Sequence, residues 1–212
     1  MEATGVAELD RAAVIAADRA GASDMAITEP RPLKLTIDDL VLLDERWRDR
    51  GDDHRGTELL DGRVYHTPAR YRPRGWAATK LAMRLRDATE PRADSLWAGM
   101  RVSVASPPYD LPLPDIVLTY DPHGDGFIPA ASVPLVAEVA ESALDFFLSE
   151  KLRCYARMGI PEYWVVDLRG RVLRRMWSPG AEGYAERNDL ALGEHVAAAT
   201  IPGLGVDTGG LA

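Results

Sequence analysis

The chain has 212 residues, 46% hydrophobic and 27% charged, which suits one well-filled core and argues against a low-complexity or fibrous composition. A lone cysteine, Cys154, rules out a disulfide framework. No apolar run reaches the roughly 18 residues of a membrane span, and the N-terminus lacks the basic start and apolar core of a secretory signal; a cytoplasmic protein is expected. The net charge of −8 argues against a protein that coats nucleic acid through charge alone, because phosphate contacts come from Lys and Arg. An enzyme acting on DNA stays possible, since basic residues are bunched: Arg70, Arg72, Arg74, Lys80, Arg84 and Arg86 in one stretch, Arg169, Arg171, Arg174 and Arg175 in another. A solvated face is the simpler account of each stretch.

Residues 1–30 are Ala-rich and weakly patterned, and read as a loosely ordered extension in which Met25 could serve as an alternative start. Leu35 to Trp47 is expected to be a helix, with Thr36 as N-cap and Asp38 and Asp39 favourably placed against the helix dipole. Thr57 to His66 reads as a hairpin turning at Asp61-Gly62. From Gly75 to Ala88 a helix is expected, with Ala77, Leu81, Leu85 and Ala88 in one stripe. Strand-like pieces follow at Ser95–Ala98, Arg101–Ala105, Ile116–Tyr120 and Val133–Ala140. A helix from Leu144 to Met158 comes next, then strands Glu162–Val166 and Arg171–Trp177 around the turn Asp167 to Gly170. Past Gly183 there is a weak strand and a Gly-rich end, with 206–212 read as a tail. Residues 31–205 thus predict a single domain of α/β class, a central mixed β-sheet flanked by α-helices on both sides.

The chemistry concentrates between Val133 and Asp167. Glu138 is the one charge in the apolar run VPLVAEVA, where solvent exposure is unexpected. On the following helix, at about 100° per residue, Phe147, Leu148, Lys151, Leu152, Cys154, Tyr155 and Met158 share an arc, and Lys151 is its only charge. A lysine there can snorkel to water, and a strand-end glutamate can pair with an arginine. Burying both without partners costs several kcal/mol per ion, so pairing or metal binding is expected. Asp115 opens the strand IVLTY after the stiff Leu111-Pro112-Leu113-Pro114 segment, although an Asp after Pro is often only a turn residue. Two carboxylates on neighbouring strands can hold a hard divalent cation such as Mg²⁺ with room for water and phosphate, and a lysine beside them can steady developing negative charge.

Asp115 after a proline, Glu138 in a hydrophobic strand and a lysine on the next helix resemble the PD-(D/E)XK nuclease superfamily. More closely, the chain is similar to the Uma family of bacterial proteins described as restriction endonucleases. The residues that carry this are TELLDGRV (57–64), LPDIVLTYDP (113–122), PLVAEVAES (134–142), EKLRCYARMGIPEYWVVD (150–167) and IPGL (201–204), over roughly 35 to 205. The resemblance implies a restriction-endonuclease-like fold and a Mg²⁺- (or Mn²⁺-) dependent DNA endonuclease. It implies Asp115 and Glu138 as metal ligands, Lys151 as the catalytic lysine moved from strand to helix, and Glu58 as a further acidic site residue. Three positions depart from these patterns: Ala140 where the superfamily's strand lysine usually stands, Phe147 where the family often has an aspartate, and Arg74-Gly75-Trp76 where a histidine is frequent.

Those departures keep a second reading open, a catalytically impaired nuclease-fold module that binds DNA or a protein partner without cleavage. An acid/base hydrolase using Glu138 and Asp115 is a third, with no sugar-binding aromatic platform beside those residues. His54, His66, His123 and His195 have no metal-ligand spacing. No P-loop, dinucleotide fingerprint or nucleophile elbow occurs, and Gly124 and Gly126 read as loop residues. DNA is the expected partner, membranes are not, and a homodimer would suit a symmetric duplex.

Overall fold

Six consecutive buried residues, Leu135–Ala140, form the strand around which the structure is organised. The computed structural model describes residues 32–50, 56–67, 71–90 and 96–212, and Lys34–Ala212 is one compact unit. The expectations for residues 1–30, for Met25 and for Arg70 and Ser95 lie outside the described residues.

In chain order, helix α1 (Ile37–Arg50) precedes strands β1 (Thr57–Leu60) and β2 (Arg63–His66) and helix α2 (Arg72–Thr89). Strands β3 (Trp97–Met100), β4 (Val104–Ala105), β5 (Ile116–Thr119) and β6 (Ile128–Pro129) follow, with a 3-10 turn at Ala130–Ser132 before β7 (Leu135–Ala140). The next helix has three joined pieces: α3 (Leu144–Phe146), a π-helical turn (Phe147–Lys151) and α4 (Leu152–Arg157). Strands β8 (Glu162–Asp167), β9 (Val172–Gly180), β10 (Gly183–Ala191), β11 (His195–Ala197) and β12 (Gly205–Asp207) complete the chain.

Six strands make one sheet in the order β10-β9-β8-β7-β5-β3. Within this sheet β7 and β8 are parallel, with the helix between them supplying the crossover that a parallel pair needs, and the other neighbours are antiparallel. Side chains alternate between faces. Leu135, Ala137, Val139 and Trp164 face α2, packing on Ala77, Leu81 and Leu85 with Val196, Ile201, Leu204 and Leu211 from the C-terminal region. Val136, Ala140, Tyr163 and Val165 face the other way, onto Phe147 and Tyr155. Each fully buried aliphatic or aromatic side chain contributes about 1.5–3 kcal/mol, so the sheet is held from both sides. A smaller cluster of Ile37, Leu40, Leu59 and Leu111 seats α1 on the β1–β2 hairpin.

Thr36 caps α1 as expected: its hydroxyl accepts from the Asp39 N–H at 3.2 Å, and the Asp39 carboxylate accepts from the Thr36 N–H at 2.8 Å. Asp61 and Gly62 both have positive φ (51° and 73°), the geometry a two-residue hairpin turn requires. Several boundaries shift. α2 begins at Arg72 rather than Gly75, because Pro73 fits the first helical turn. The strand expected from Arg101 shrinks to Val104–Ala105, since Arg101 itself is left-handed (φ 50°). The weak strand past Gly183 is a nine-residue partner of β9. In the segment read as a tail, Val206, Thr208 and Leu211 are buried, and β12 pairs with β11.

Candidate active site

The four residues singled out from the sequence come together on the α4-facing side of the sheet. Asp115 stands at the mouth of β5 and Glu138 in β7, and both point to the face shared with Val117, Val136 and Ala140. Lys151 closes the π-helical turn, whose wider bore keeps Phe147 and Lys151 turned inward together. Glu58 reaches the cluster from β1. All four are buried: Asp115 0%, Glu138 1%, Lys151 1% and Glu58 2% exposed.

Asp115 and Glu138 clamp one another. The Asp115 N–H donates to Glu138 Oε2 at 3.3 Å, and the N–H of Val139 donates to Asp115 Oδ2 at 2.9 Å. Each carboxylate thus fixes the backbone beside the other. The Lys151 ammonium spends its donors on Glu58 Oε2, on Glu138 Oε1 at 3.0 Å and on the Tyr155 hydroxyl at 3.4 Å. Tyr155 in turn donates to Glu138 Oε1 at 2.8 Å. Behind the lysine, Glu58 also accepts from the Thr67 hydroxyl and from the Leu113 N–H, each at 2.9 Å. That last bond pins the proline-flanked segment that aims Asp115.

Arg74 was not singled out by the sequence reading. From the first turn of α2 it places its guanidinium on both Asp115 oxygens, at 3.2 Å each, while its plane lies over the Phe147 ring 5.3 Å away. One of six basic residues in a stretch, it carried no signal separating it from its solvated neighbours. Its position where the family favours a histidine was the available clue. Tyr155 was assigned to the core-facing arc, and nothing in the sequence showed that its hydroxyl meets Glu138.

Three buried carboxylates and two cations, Lys151 and Arg74, therefore meet in one cluster. Burial pushes the Glu138 carboxyl up to about 7 against the pull of Lys151, with Asp115 and Glu58 adding to the rise. Burial alone would lower the Lys151 ammonium, but Glu138 and Glu58 outweigh it and hold it above its ordinary value. Tyr155 and Tyr163 are likewise raised, chiefly by burial and then by Glu138.

Among the described residues, no group of three or more His, Cys, Asp or Glu side chains is arranged to hold a metal ion. Glu58 is set apart by the intervening lysine, which leaves Asp115 and Glu138. Paired carboxylates suit a hard cation of the Mg²⁺ type, which takes one or two carboxylates and keeps water in its other positions. The neighbouring cleft, about 240 Å³, is walled by Arg74, Phe147, Tyr65, Tyr71 and Glu141. In that wall Glu141 Oε2 is shielded from solvent without a hydrogen-bond partner. The donor set fits such an ion.

No helix among the described residues is long and apolar enough to cross a membrane. No curated protein matches the chain. A crystal structure described as a "putative nuclease belonging to DUF820", from Anabaena variabilis, superposes with a TM-score of 0.60 at 11% identity, covering 82% of this chain and 92% of that one. At that identity the likeness speaks for the nuclease fold alone. Residues 37–209 match the family model Uma2, described as "Putative restriction endonuclease". Because that match spans most of the sequence, the chain belongs to the Uma2 family.

Proposed function

We propose that the protein is a Mg²⁺- or Mn²⁺-dependent DNA endonuclease whose ion is held by Asp115 and Glu138. The observation that supports this most is the mutual clamp of the two buried carboxylates, with the Lys151 ammonium held against Glu138. When bound, a divalent cation neutralises charge on a phosphodiester and makes water a better nucleophile. Lys151 provides a fixed positive charge beside Glu138, in a low-dielectric setting that strengthens its hold on developing negative charge. Glu58, Thr67 and Tyr155 position that ammonium and that carboxylate rather than meet the substrate. Arg74, 14% exposed at the cleft, is placed to exchange Asp115 for a phosphate oxygen. Nuclease membership agrees with this reading; the ion and the residue roles are the proposal.

Nicking of supercoiled plasmid tests it. Cleavage is expected only with Mg²⁺ or Mn²⁺, and is expected to vanish in Asp115→Ala. Metal-independent cleavage, or none on any DNA, would contradict it. One observation favours the second reading, a module that binds DNA without cutting: Arg74 already satisfies both oxygens of Asp115. DNA binding without turnover under all metal conditions would select that reading.

A further inference from the structure

The cleft beside Arg74 is lined more by rings than by charge. Tyr65, Tyr71, Phe146 and Phe147 form its walls, with Tyr65 and Phe146 tilted at 49° and 5.2 Å apart. On the first turns of α2, Tyr71, Arg72 and Trp76 line a second, more open depression that shares Tyr71 with the cleft. Tyr71 is 75% exposed and Trp76 64% exposed, so neither supports the core. Lys80 sits 5.4 Å over the Trp76 ring while donating to the Gly210 carbonyl.

Duplex DNA hides its base faces and is gripped chiefly through phosphates, which calls for a broad cationic surface. A chain of net charge −8, whose Lys80 and Arg84 are already bonded to carbonyls of the C-terminal segment, is poorly equipped for that. An unpaired strand offers base faces to stack on, at modest cost in charge. We infer that these two depressions, which meet at Tyr71, bind single-stranded DNA: bases stack on Trp76 and Tyr71, phosphates meet Arg72 and Arg74, and one nucleotide enters the Tyr65–Phe146 cleft. This rests on and deepens the nuclease reading, since the strand would reach Arg74, which holds Asp115. The binding itself does not depend on turnover.

Fluorescence anisotropy of the full chain with a labelled oligothymidylate, and with a duplex of equal length, both in EDTA, tests the inference. The single strand is expected to bind about tenfold or more tightly than the duplex. Trp76→Ala and Tyr71→Ala are each expected to weaken it by roughly five- to a hundredfold, the range for loss of one base–aromatic stack. Trp76→Phe should keep most of the affinity. Equal or tighter duplex binding, or no effect of either alanine, overturns the proposal. Cleavage of closed circular single-stranded DNA against relaxed duplex plasmid, with Mg²⁺, is the second arm. Intact single-strand binding without cleavage of either DNA would sink the nuclease reading and uphold the groove. Relaxed duplex cut as fast as the single strand, with no aromatic dependence, would do the reverse.

Discussion

Two buried glutamates lie on opposite faces of the same sheet and solve the same problem differently. Glu162, at the start of β8, faces α2 with Trp164. Its carboxylate accepts from the Trp164 indole at 2.7 Å, from the N–H groups of Ala199 and Thr200 at 2.9 and 2.8 Å, and from the Thr200 hydroxyl at 2.9 Å. Those donors are neutral and numerous, and they tie the C-terminal segment to the sheet. Glu138, on the other face, shares one lysine with Glu58 and lies against the clamp that binds Asp115. Burial of an acid is therefore no mark of chemistry in itself. The mark is a pair of acids bonded to one another's backbone, with a lysine against one of them, next to a cleft.

The largest effect that would sharpen this contrast is on activity. Asp115→Asn should lower plasmid nicking by about a thousandfold or more, given that a bound cation is worth several kcal/mol of transition-state charge stabilisation. Its fold, checked by circular dichroism, should persist. Next comes Lys151→Met, which strands two buried carboxylates and should cost about 3–5 kcal/mol in urea denaturation. Glu162→Gln is the control on the other face. It should cost about 1–3 kcal/mol by leaving donors unmatched, with nicking per folded molecule unchanged. A loss of turnover equal to that of Asp115→Asn would erase the distinction between the faces.

A further effect is a pH slope. The folded state holds the Glu138 proton up to about 7, whereas the ordinary value is 4.5. Across that window the unfolded chain binds fewer protons, so stability of the metal-free protein falls as pH rises and the full cost is present above about 7. Subtracting the urea stability of Glu138→Gln from that of the wild type, pH by pH, should isolate this slope. A difference that stays flat, or rises with pH, would contradict the charge account.

How much of this could be read from sequence depends on contrast. Glu138 stood out as the one charge in VPLVAEVA, and Lys151 as the one charge on a seven-residue arc; both are buried. The arc survived even though the helix contains a π turn, because the widening shifts the register without moving Lys151 off the inward face. Glu58 lies in an ordinary-looking hairpin and was found through family likeness alone. Arg74 lacked contrast, since its basic neighbours resemble it. Glu162 was noted only as the first residue of a strand, for its partners arrive from residues 199 and 200, far along the chain. β10 read weakly because its residues are polar on both faces, as an edge strand of the sheet allows.

The most direct measurement is calorimetric titration of Mn²⁺ into the full chain at mildly alkaline pH, for the wild type, Asp115→Asn and Glu162→Gln. The account predicts that the wild type and Glu162→Gln bind an ion alike and that Asp115→Asn does not. Equal binding by Asp115→Asn, or no binding by a wild type that still cuts DNA, would contradict it.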